Sequence, residues 1–185
     1  LAAYGSSFDC IGPITKSVED AALVLSIMAG PDEFDSTVSI FNKKEFIPKK
    51  RLAYIKEIVE HPSLQPEIKD HFFRKVEQLK QKGFVVESVD FAYIDQMLPT
   101  YYILTMAEAS SNLSRFDGVK FGQRTQNPRD LMDLYKKTRN EGFGEEVKRR
   151  IMLGTFVLSA NYYDAYYTKA QKVRRLIKER TDVIL

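Results

Sequence analysis

Leu64, Ile68, Phe72, Val76 and Leu79 recur at spacings of four and three, one apolar stripe that predicts a helix from Pro62-Ser63 to Lys82-Gly83. Leu52 to Ile58 on one side and Phe84 to Val89 on the other read as strands. Strand, helix and strand in this order predict a βαβ unit, with parallel strands and a right-handed crossover. Upstream, Gly5 to Gly12 reads as loop. Ser17 with Asp20 three residues on resembles a helix N-cap. Val18 to Ala29 follows, apolar on nearly every side, which predicts a buried helix ended by Gly30-Pro31. Residues 31–50, rich in Asp, Lys and Pro, read as irregular. From Ile94 the pattern is helical: 94–114, then 128–140 with Pro128 near its start, a break at Gly142 and Gly144, then Glu145 to Ala160 and Asp164 to Thr181. The expected class is α/β, with 1–92 an α/β part and 93–185 a helical part of one piece, without repeats or low-complexity stretches.

Composition narrows the class without naming a function. Of 185 residues, 44% are hydrophobic and 29% charged, which suits a globular chain and excludes a disordered one. One cysteine, Cys10, excludes an internal disulfide and any multi-cysteine metal site; two histidines, His61 and His71, exclude a His-rich centre. No apolar run approaches the roughly 18 residues that would span a bilayer. Charge is uneven: residues 1–114 carry 12 basic and 16 acidic groups, net −4, and residues 115–185 carry 16 and 9, net +7. A solvated helical face is the simpler reading of this asymmetry, and an anionic partner such as nucleic acid the alternative. The chain opens on Leu1 rather than Met and closes on apolar Val183-Ile184-Leu185. The expectation is an internal fragment whose apolar ends, including Leu1-Ala2-Ala3, are disordered or covered by a neighbouring chain.

Few side chains stand out as chemical candidates. His61 and His71 have no Ser or Cys partner at a recognised spacing, and Cys10 has no neighbouring cation to form a reactive thiolate. Gly5-Ser6-Ser7 lacks the spacing of a phosphate loop or a nucleophile elbow. Glu108, Ser110, Ser111, Asn112 and Arg115 crowd two helical turns, with Glu108 and Asn112 on one face; pocket lining and a satisfied polar network remain equal readings. In the helix from Glu145, Val147, Ile151, Gly154 and Leu158 form a stripe with Arg150 on its border. An arginine there needs a partner, either Glu146 one turn back or the carboxylate of a ligand. Tyr101-Tyr102, Tyr162-Tyr163 and Tyr166-Tyr167 read as core-edge aromatics with their hydroxyls in water.

Several stretches taken together resemble a known family. They are Tyr4-Gly-Ser-Ser-Phe-Asp-Cys-Ile-Gly-Pro-Ile-Thr15, Ser17-Val-Glu-Asp-Ala-Ala22, Asp35-Ser-Thr37, Glu108-Ala-Ser-Ser-Asn-Leu-Ser-Arg-Phe-Asp-Gly118, Thr138-Arg-Asn-Glu-Gly-Phe-Gly-Glu-Glu-Val-Lys-Arg-Arg-Ile151 with Leu153-Gly-Thr-Phe156, and Tyr162-Tyr-Asp-Ala-Tyr-Tyr167. The first resembles the amidase signature family at large. The later ones resemble, more specifically, the A subunits of glutamyl-tRNA(Gln) and aspartyl-tRNA(Asn) amidotransferases within it.

The resemblance implies a partial amidase-signature fold and glutamine hydrolysis. A Ser-cisSer-Lys triad releases ammonia, which a partner protein uses to amidate misacylated Glu-tRNA(Gln) or Asp-tRNA(Asn). It places that triad in segments preceding Tyr4, so no catalytic residue is carried over and residues 1–185 are expected to be inactive alone. Arg150 matches the arginine that grips the α-carboxylate of glutamine, and Tyr101 a tyrosine at the same site. The implied partners are the B and C subunits of a heterotrimer, glutamine and, through the complex, misacylated tRNA, with no membrane and a cytoplasmic location. No cofactor is implied for these residues; ATP and Mg belong to the partner. Two competing functions are a different amide hydrolase of the same family and a non-enzymatic RNA- or protein-binding module.

Overall fold

The computed structural model describes residues 3–34, 38 and 49–185. The resembling stretch Asp35-Ser-Thr37 and the terminal Leu1-Ala2 lie outside the described residues. The chain divides into two compact units, Cys10–Lys49 and a larger one made of Leu1–Asp9 with Lys50–Leu185.

In the smaller unit, helix α1 spans Val18–Met28. The Ser17 hydroxyl accepts the Asp20 N–H at 3.1 Å, the cap anticipated from the spacing. The expected burial is corrected: α1 has no buried residue, and Val18 and Ile27 are 80% and 78% exposed. Among the described residues of this unit α1 is the one regular element, and a lone helix cannot close a core around itself, whatever its composition.

The larger unit is α/β. Strand β1 (Arg51–Ile55) pairs in parallel with β2 (Val85–Val89), with Leu52 opposite Val86 and Ile55 opposite Val89. Helix α3 (Pro66–Gln81) connects them; of its stripe Val76 is buried, Phe72 and Leu79 are half-buried with Phe72 edge-on to Tyr54 at 5.2 Å between ring centres, and Ile68 is exposed. Gly83, at φ +82°, makes the left-handed turn from helix to strand. Two boundaries differ from expectation. Residues 56–58 are not strand but the short helix α2 (Lys56–Val59), where the Glu57 carboxylate reaches across to accept the Phe91 N–H at 2.8 Å. Helix α3 starts at Pro66 rather than Pro62, because a turn closed by Leu64 N–H on the His61 carbonyl precedes it.

The remaining helices are α4 (Ile94–Asn112), extended by a 3₁₀ turn to Arg115, α5 (Leu131–Gly142), α6 (Glu145–Val157) and α7 (Lys169–Ile184), the last entered through a π-helical turn at Tyr163–Thr168. Helix α4 is the spine. Its Leu104, Ala107 and Ala109 are buried, and it packs against both α6 and α7. The small residues let α6 come close: the Ser110 and Thr155 hydroxyls meet at 2.9 Å, and a Cβ on Gly154 would fall 2.0 Å from the Met106 carbonyl oxygen. At the C-terminus, Val183 and Leu185 are exposed apolar side chains.

Helix α5 begins three residues beyond Pro128, at a cap formed by Asp130, whose carboxylate accepts the Asp133 N–H at 2.8 Å. Asp133 in turn accepts the Arg129 backbone N–H at 3.0 Å and pairs with the side chains of Arg129 and Lys137 at 3.2 and 2.9 Å. The Arg129 backbone N–H first, then the Arg129 and Lys137 side chains, hold the Asp133 carboxyl well below the usual carboxylate range. A folded pKa below the unfolded one gives stability that is complete above about pH 4 and is lost as the pH falls below that. In the full-length protein, the urea midpoint is therefore expected to drop further between about pH 6 and about pH 3 for the native sequence than for Asp133→Asn. Equal drops would remove Asp133 from the acid response.

Candidate functional site

The side chains that could serve a ligand converge on one turn. The Asp9 carboxylate accepts the N–H of Tyr4 at 2.9 Å and of Gly5 at 3.0 Å, folding residues 4–9 back on themselves. Helix α4 grips this turn with two residues one helical turn apart. Glu108 accepts both the N–H of Ser7, at 2.9 Å, and the Ser7 hydroxyl, and the Asn112 amide donates to the Tyr4 carbonyl at 3.1 Å and to the Ser6 hydroxyl at 3.0 Å. From α7, Arg174 donates to the Ser7 hydroxyl and carbonyl at 2.6 and 2.8 Å and lies over the Phe8 ring, 4.3 Å from its centre. Ser6 and Ser7 are thus anchors of a turn. The polar run on α4 is the satisfied network of the two open readings.

Arg150 sits on α6 at the edge of a stripe in which Gly154 is buried and Val147, Ile151 and Leu158 are half-buried, its own side chain 31% exposed. Its Nε donates to Glu146 at 3.1 Å and its Nη1 to the Tyr4 hydroxyl at 3.1 Å. The Tyr4 hydroxyl first, then Glu146, hold the guanidinium further above its ordinary pKa, and the Arg150 bond is the first cause that lowers Glu146 below the usual range. A guanidinium has five N–H donors. Among the described residues Nη2 has no partner, so three donors remain, all on the two terminal nitrogens. That edge can meet both oxygens of a carboxylate with parallel bonds.

Tyr101, on α4, is 43% exposed and packs edge-on against Phe8 at 5.6 Å and against Tyr102 at 5.5 Å. The turn therefore touches both sequence candidates, Arg150 through Tyr4 and Tyr101 through Phe8. The sequence reading missed Tyr4, Asp9 and Arg174. The only local signal was an aspartate four and five residues beyond the donors it caps.

The remaining candidates fall elsewhere. His61 is exposed, with Nδ1 accepting the Ser63 N–H at 3.2 Å, and His71 and Cys10 are exposed. Phe156, Tyr162 and Tyr166 stack on one another at the surface. The stretch around Leu113–Gly118 is structural. Arg139 donates to the Leu113 and Phe116 carbonyls at 2.8 and 3.1 Å, Asp117 caps the loop at Val119 and Lys120, and Gly118, at φ +77°, lies against Thr138. Among the described residues no three His, Cys, Asp or Glu cluster to hold a metal ion, and no helix is long and apolar enough to cross a membrane.

The helical layer that grips a serine-bearing turn, with an arginine edge left open beside it, is part of an amidase fold. The chain belongs to the Amidase family, whose model matches residues 1–185. It is 48% identical to the A subunit of glutamyl-tRNA(Gln) amidotransferase from Agathobacter rectalis, covering 98% of this chain and 37% of that protein. It is 46% identical to the protein of the same name from Lachnoclostridium phytofermentans, covering 100% and 40%. Among solved structures, it is similar to the crystal structure of the A subunit of glutamyl-tRNA(Gln) amidotransferase from Thermotoga maritima, with a TM-score of 0.65 at 38% identity over 99% of this chain and 36% of that one. The chain thus spans about two-fifths of the length of the curated relatives it matches.

Proposed function

We propose that these residues belong to the glutamine-hydrolysing component of a tRNA-dependent amidotransferase, and that Arg150 and Tyr101 form part of its glutamine site. The observation that carries the reading is the open terminal edge of Arg150, in a chain similar along its whole length to A subunits of glutamyl-tRNA(Gln) amidotransferases. Glutamine differs from other primary amides by its α-amino acid head. A fixed guanidinium edge selects the carboxylate of that head, and the half-exposed Tyr101 ring, held against Phe8 of the same turn, supplies apolar surface to the site.

In this reading the nucleophile and its base lie in the part of the protein that these residues do not include, and residues 1–185 shape the pocket. Ammonia passes to a partner protein, which uses ATP and Mg to amidate misacylated tRNA. The partners are the B and C subunits of the complex, and the location is the cytoplasm. The test is an assay of the full-length protein assembled with its partners, given Glu-tRNA(Gln), ATP and glutamine. Gln-tRNA(Gln) formed together with glutamate is the expected result. Hydrolysis of small amides lacking an α-carboxylate, at rates equal to glutamine and without tRNA, would overturn it in favour of a general amidase.

A further inference from the structure

We infer that Tyr4 is a positioning residue of the site: its hydroxyl fixes the plane of the Arg150 guanidinium so that the terminal edge, rather than a face, meets the ligand carboxylate. The inference rests on the reading of Arg150 given above and adds a residue to which the resemblance gave no role.

Two observations carry it. The first is the pattern of anchors on the guanidinium. Glu146 alone would hold Nε by one bond, and Glu146 is a poor single anchor because it is exposed and shared with Arg149 at 2.5 Å. A second bond, on Nη1, removes the remaining rotation of the plane. The chemistry of this second anchor matters. A phenol oxygen accepts a hydrogen bond while carrying no charge, so it orients the arginine and adds no negative charge to that of Glu146 in competition with a ligand anion. A carboxylate in the same place would compete with that anion.

The second observation is how firmly Tyr4 itself is held. Its N–H goes to Asp9 and its carbonyl takes the Asn112 amide of α4, so the ring is fixed at its root on both sides of the α-carbon. Arg150 is on α6, which lies against that same α4. The hydroxyl and the guanidinium are therefore set relative to each other by one helix pair, 146 positions apart in the chain.

The experiment is a double-mutant cycle in the full-length protein assembled with its partners, with glutamine as the varied substrate. Tyr4→Phe removes one oxygen and nothing else. It is expected to raise the glutamine KM about three- to tenfold, with a smaller change in kcat. Arg150→Ala should raise KM more, and adding Tyr4→Phe to it should have no further effect, because a positioning residue has nothing left to position. If Tyr4→Phe leaves KM unchanged while Arg150→Ala raises it, the inference is overturned and the reading of Arg150 stands. If Arg150→Ala leaves KM unchanged, the reading itself fails and the inference with it. An equal effect of Tyr4→Phe with and without Arg150, or an equal loss in the reaction driven by added ammonia, makes Tyr4 a structural residue and also overturns the inference.

Discussion

Gly154→Ala is expected to destabilise the full-length protein by about 3 kcal/mol, more than replacement of any exposed residue of α6. The added methyl group would lie 2.0 Å from the Met106 carbonyl oxygen, 2.6 Å from the carbonyl carbon and 2.6 Å from the Ser110 Cβ. Two of these are backbone atoms inside α4, which cannot turn aside as a side-chain tip could. Relief requires the two helices to move apart, and Leu104 and Ala107 on α4 and Val157 on α6 are buried side chains. Gly142→Ala provides the contrast. Nothing lies within 4 Å of its added Cβ, so the same substitution there should be neutral or slightly stabilising through helix propensity. Denaturant unfolding of the two variants checks the pair. Equal stability would mean that α4 and α6 are not in backbone contact at Gly154. If Arg150 holds glutamine as proposed, separating the helices should also raise the glutamine KM of whatever protein still folds, since Arg150 is one helical turn before Gly154.

What could be read from the sequence follows from the range over which each feature is determined. The stripe Leu64 to Leu79 and the parallel strands flanking it are set by local periodicity, and they appear in the structure with β1 and β2 paired in parallel. Lys56-Glu57-Ile58 continued the strand pattern equally well. What ends the strand is the bond from the Phe91 N–H to Glu57, across 34 positions, which no local pattern contains. Pro62 and Pro66 are both suited to the first turn of a helix, and only the His61–Leu64 turn decides between them. The composition of α1 indicated an apolar helix but not what would cover it. At the site, helical spacing placed Arg150 on the border of its stripe and identified Glu146 as its partner within the helix. It could not supply Tyr4, since a contact between an early turn and a late helix leaves no trace in the spacing of either.

On the proposed reading of Arg150, Arg150→Lys is expected to lower kcat/KM for glutamine by on the order of 30- to 100-fold in the assembled full-length protein, mostly through KM. Lysine keeps one positive charge but has three tetrahedral donors on a flexible stem in place of a planar fork, so it can neither keep the bonds to Glu146 and Tyr4 in one plane nor present two parallel donors to a carboxylate. The charge retained is mobile, and that mobility is why the conservative substitution should cost nearly as much as Arg150→Ala. Amidation driven by added ammonia does not require glutamine to be gripped by its carboxylate, so it should remain near the level of the unaltered enzyme. The two reactions measured on one preparation separate a ligand-binding role from a folding role. If Arg150→Lys keeps the glutamine KM, or loses both reactions in equal measure, the guanidinium serves as a strut between Tyr4 and Glu146 and the carboxylate is held elsewhere.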